Sequence, residues 1–72
     1  MEDKLEEFLR LMRVEMDEHE KVYEDTWKKQ NIEFLEQRMN AKHNEFRLTK
    51  NPDKLVSLAN LAMLLYVRRK YG

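Results

Sequence analysis

Leu5, Phe8, Leu9, Met12, Met16, His19, Tyr23 and Trp27 recur at steps of three and four residues, forming one apolar stripe through an otherwise acidic segment. That spacing predicts an amphipathic helix over residues 2–27. If the helix continued, Ile32 would point about half a turn away from the stripe, because each residue advances a helix by about 100°. A bend or break is therefore expected between Asp25 and Asn31, with Asn31 as an N-cap and Asp25 or Thr26 as alternatives.

A second helix is predicted over residues 31–48. Ile32, Leu35, Met39, His43 and Phe46 share one face, while Phe34, Ala41 and Leu48 step by seven along nearly the opposite one. The first face suits packing within the chain and the second suits a neighbouring subunit. The segment TKNPD ends this helix, with Asn51 placed to cap the next and Pro52 at its first position, where a missing N–H is harmless. The third helix, residues 52–70, is apolar on more sides than two companions are expected to cover, so Leu61 and Leu64 are also assigned to a subunit interface. Lys54, Ser57 and Asn60 recur every third residue along it as a narrow polar line. These elements predict an all-α fold: one domain of three helices, an antiparallel bundle completed by dimerisation.

Composition reinforces the helical reading. Over 72 residues there are one Gly, one Pro and no Cys, and 39% of positions are charged. A domain this small buries a modest fraction of its surface, and without cysteine neither disulfides nor thiolate metal sites can reinforce it. Self-association is the remaining route, and the lack of cysteine fits a reducing, cytoplasmic setting. The net charge is zero, but residues 1–27 hold ten acids and four bases while residues 28–72 hold four acids and ten bases. Halves of about −6 and +6 favour packing the first helix against the others and argue against nucleic acid as a partner. The start MEDKLEEF is acidic where a secretion signal would be basic, and the apolar run from Leu55 to Val67 is too short to span a bilayer, so no membrane association is expected.

Few residues point to chemistry. The only Gly is the last residue, which excludes a glycine-rich phosphate loop. His19 and His43 each lie in an apolar stripe without metal-ligand spacing, and read as half-buried histidines rather than ligands. Tyr23 and Trp27 read as core before they read as a base-stacking platform. The cluster Arg68, Arg69 and Lys70 suits the negative end of a helix better than it suits a phosphate grip. Glu33 with Glu36, and Glu15 with Glu18, have the i, i+3 spacing by which two carboxylates can share a hard cation, a spacing that also arises by chance in acidic helices.

Two stretches, EDTWKKQNIEFLEQRMNAKHNEF and KLVSLANLAMLLYVRRKYG, together resemble the MazG-like family of all-helical nucleotide pyrophosphohydrolases. In that family an E-x-x-E pair on one helix and an E-x-x-D pair followed by Asn on the next hold Mg²⁺ against a nucleoside triphosphate. A metal-activated water then releases pyrophosphate and a nucleoside monophosphate. Carried across, the E-x-x-E positions fall on Lys42 and Glu45, the E-x-x-D positions on Lys54 and Ser57, and the asparagine on Asn60. Three of the four acids are absent. A shifted alignment would use Glu33, Glu36 and Asp53 as ligands, yet the position three before Asp53 is Lys50.

The resemblance therefore implies a MazG-like dimer with a degenerate metal site, which needs no cofactor and acts by binding a protein or a nucleotide. The alternatives are an active Mg²⁺-dependent pyrophosphohydrolase, with Glu33, Glu36, Glu45 and Asp53 as candidate ligands, and a helical nucleic-acid-binding regulator.

Overall fold

The computed structural model describes residues 1–18 and 31–71. Among these residues there are three helices and no strand: α1 (Glu2–Glu18), α2 (Ile32–Thr49) and α3 (Asp53–Tyr71). The expected bounds of the second and third helices hold to within one residue. His19, Tyr23, Trp27 and the expected break before Asn31 lie outside the described residues.

Local chemistry accounts for the boundaries. Asn31 is extended (φ −76°, ψ 162°) and its side chain accepts a hydrogen bond from the Phe34 N–H at 2.8 Å, so it caps α2 as its sequence position predicts. At the other end Lys50 adopts the left-handed conformation (φ 57°, ψ 21°), and its N–H donates to the Phe46 carbonyl at 2.7 Å. That geometry usually belongs to glycine, because a Cβ is crowded there. The Thr49 hydroxyl donates to the Glu45 carbonyl and accepts from the Asn51 N–H. Asn51 Oδ1 accepts from the Asp53 N–H at 3.0 Å, and Pro52 stands just ahead of the first regular turn of α3. Each helix in the pair thus starts on an asparagine cap.

The direction of the helices follows from which residues meet. Along α3 the sequence Ser57, Asn60 meets Glu15, then Met12, so α1 runs antiparallel to α3. Lys54 meets Glu45 and Arg69 meets Glu36, so α2 is antiparallel to α3 as well. α1 and α2 are consequently parallel to each other, which differs from a simple up-down-up bundle. The short turn at 50–52 forces the α2–α3 reversal.

The core is small and centred on α3. Leu35 of α2, Leu61 and Leu64 form it, with Met16, Met39 and Leu65 packed around them. Leu61 and Leu64, assigned from sequence to a subunit interface, are instead enclosed by their own chain. Periodicity within one helix cannot reveal how many neighbours cover it, and α1 and α2 between them take up both residues. His43 is exposed rather than half-buried: the covered line of α2 runs through Leu35, Met39, Lys42 and Phe46. Phe34, Ala41 and Leu48 are all exposed.

Candidate functional site

The polar line of α3 does not face one place. Three residues advance a helix by about 300°, so successive members of an i, i+3 series drift about 60° around the axis. Lys54, Ser57 and Asn60 use that drift to address both neighbours. Lys54 turns to α2, where its Nζ lies 3.4 Å from Glu45 Oε2. Ser57 Oγ donates to Glu15 Oε2 of α1 at 2.7 Å. The Asn60 amide donates at 3.2 Å to the Met12 carbonyl and at 3.2 Å to Glu15 Oε1.

On the α2 side, Lys42 approaches the same Glu45 oxygen at 3.5 Å, so two ammonium groups converge on one carboxylate. The charge of Lys42 first, then the hydrogen bond from Lys54, holds the Glu45 carboxyl below its ordinary range, against a smaller opposing effect of burial. All three side chains keep partial contact with water. Lys42, Glu45 and Lys54 thus meet in space. What they assemble is a carboxylate sandwiched by cations, a donor set that opposes a further divalent cation.

On the α1 side, Glu15 grips the other two members of the line with both of its oxygens. Its part was visible in the sequence only as half of an i, i+3 pair with Glu18, and nothing in spacing connected it with positions 57 and 60. Glu18 is exposed. Asn60 is fully buried, and its Oδ1 has no hydrogen-bond partner. Both amide hydrogens are committed to acceptors, which fixes the side chain's orientation and leaves the carbonyl oxygen as the unfilled position. Leu9, Met12, Met16 and Met63 line a groove beside Asn60.

The remaining candidate ligands are dispersed. Glu36 is paired with Arg69, at 2.9 Å, near the end of α3. Glu36 and Glu45 are separated by nine residues of one helix, about 13 Å along its axis. Glu33 is exposed in the first turn of α2, and Asp53 is exposed at the start of α3, beside the opposite end of α2. No three His, Asp or Glu side chains among the described residues stand close enough together to hold a metal ion. Within the basic cluster at the end of α3, Arg69 reaches across to α2, while Lys70 donates to the Tyr66 hydroxyl at 3.1 Å and lies over the Tyr66 and Tyr71 rings.

No helix among the described residues is long and apolar enough to cross a membrane. No protein-family model matches the chain, and no curated protein or solved structure is significantly similar to it.

Proposed function

We propose that this chain is a non-catalytic helical binding protein, MazG-like in its arrangement, in which lysines stand where metal-binding acids would be. It acts as an assembly of more than one copy and engages a protein partner in a reducing, cytoplasmic setting. The observation that carries this reading is the convergence of Lys42 and Lys54 on Glu45 Oε2.

The physical reasoning concerns charge. A metal-dependent phosphohydrolase needs a cluster of anionic oxygens to hold Mg²⁺, which in turn neutralises the triphosphate and acidifies a bound water. Here the retained acid is matched by two built-in cations, and a divalent ion would be repelled by both. Lys54 takes over the metal's structural part, tying α2 to α3 without Lewis acidity, and Lys42 adds a second cation from within α2. A nucleotide phosphate would compete with Glu45 for the same ammonium groups, so the polar line favours a partner recognised elsewhere on the surface. The near-neutral charge of the chain also supports a protein over a nucleic acid.

The test is release of pyrophosphate from a panel of nucleoside triphosphates in the presence of Mg²⁺. No release above background is expected. Turnover that depends on Mg²⁺ and disappears in Glu45→Gln would overturn the reading and establish a hydrolase. A calorimetric titration with Mg²⁺ provides a second check, with no heat of binding expected.

A further inference from the structure

We infer that the groove between α1 and α3 beside Asn60 is a site for a soft monovalent cation, copper(I) or its analogue silver(I), held by the thioether sulfurs of Met12, Met16 and Met63. The chain has five methionines, and these three line the same groove. Met12 and Met16 stand one turn apart on α1, so their Cβ atoms are about 5–6 Å from each other. Met63 belongs to the opposite wall. The Asn60 amide donates to the Met12 carbonyl at 3.2 Å, and Met63 follows Asn60 by one turn of α3, which sets it across from Met12. Each sulfur is carried on a side chain with three rotatable bonds, so the set can close on one ion without moving either helix. Packing on the leucine core accounts for Met16. It does not account for Met63, which is 37% exposed and leaves the groove open to solvent.

The surroundings select the class of ion. Thioethers are soft, uncharged donors that favour copper(I) and silver(I), whereas Mg²⁺ and Ca²⁺ require several oxygen ligands. The groove supplies few of those: its one carboxylate, Asp17, is balanced by Arg13 on the same rim, and nearby Glu15 commits an oxygen each to Ser57 and Asn60. A neutral apolar molecule fits less well than a cation, for two reasons. Asn60 lies in the wall fully buried with its Oδ1 unpartnered, so lone pairs place negative potential beside the groove that a positive ion answers. The helix that supplies two of the sulfurs also carries seven acids against three bases, which draws cations towards it. Soft donors and a negative surround together describe a monovalent thioether site.

Titration of the full chain with Ag⁺, and with copper(I) under anaerobic conditions against a copper(I) chelator, tests the assignment. One ion per chain is expected. In spectra of the chain labelled with ¹³C at the methionine methyl groups, the signals of Met12, Met16 and Met63 are expected to shift while those of Met1 and Met39 stay in place. Met12→Leu and Met63→Leu conserve side-chain volume, so helical circular dichroism is expected to be unchanged. Each is nonetheless expected to raise the dissociation constant at least tenfold, about 1.4 kcal/mol or more. Met39→Leu, in the separate groove between α2 and α3, is expected to leave it unaltered, and Mg²⁺ is expected to move none of the methyl signals. Absence of Ag⁺ binding in the micromolar range, binding that both leucine variants retain in full, or shifts confined to Met1 or Met39 would overturn the inference. It stands apart from the binding reading above: pyrophosphate release would sink that reading and leave this site, and failure to bind silver would sink only this site.

Discussion

The two sides of α3 are built on different principles. Against α2, α3 is joined by a three-residue turn, and the two helices share the buried Leu35, Leu61 and Leu64. Against α1 the contact is half-open. No α1 residue is buried, Leu5 and Leu9 remain about half exposed, and the specific contacts are polar, from Ser57 and Asn60 to Glu15 and the Met12 carbonyl. Apolar burial is strong but indifferent to register, whereas hydrogen bonds are weaker in net terms and fix position. Stability is therefore concentrated in the hairpin of α2 and α3, while the polar line determines where α1 sits.

The most severe way to break this asymmetry is Leu61→Ala. It opens a cavity in the shared core, and a loss of about 2–4 kcal/mol is expected, measured by urea unfolding. The same truncation on the open side, Leu5→Ala, is expected to cost well under 1 kcal/mol.

Asn60→Ala is the second test, with an expected loss of about 1–3 kcal/mol, because the Met12 carbonyl and Glu15 lose their buried donor. Its signature is local: hydrogen exchange in α1 is expected to accelerate more than in α2 and α3. Uniform acceleration across all three helices would show that α1 is not an independently held element.

Lys50→Gly acts on the hairpin side alone. Removing the Cβ from a left-handed position is expected to stabilise the α2–α3 hairpin by about 0.5–1 kcal/mol, raising the thermal midpoint by a few degrees.

The smallest expected effect concerns pH. Lys42 and Lys54 lower the folded-state pKa of Glu45 below its ordinary value of 4.5, so its contribution is complete above that value and is lost as pH falls through the lower folded pKa. The stability difference between the wild type and Glu45→Gln is therefore expected to be present at pH 7 and to shrink progressively below pH 4.5. A difference that grew on acidification would contradict the lysine clamp.

Much of this was legible in the sequence, for identifiable reasons. Asn31, Asn51 and Pro52 set the ends of α2 and α3 through contacts within three or four residues, so their effect is readable from order alone. Phe34, Ala41 and Leu48 could be placed on one outward face because the phase of a short helix is fixed by residue count. Of the five positions expected to line one pocket, Lys42, Glu45 and Lys54 lie together, whereas Ser57 and Asn60 turn to α1. His43 is misplaced by spacing, since a four-residue step from Met39 puts it on the apolar face, whereas the covered line of α2 steps by three to Lys42 and then by four to Phe46.

Residue order and spacing therefore account for what is local and periodic: three helices among the described residues, their caps, and the polar line on the third. Which faces are covered, and in which direction α1 runs, follow from packing between the helices. Leu61 and Leu64 became core rather than interface because two helices flank α3. Glu15 became the partner of Ser57 and Asn60 because α1 is antiparallel to α3. Those outcomes depend on contacts across more than forty residues of chain, where no spacing rule operates and the balance between burial and hydrogen bonding selects the arrangement.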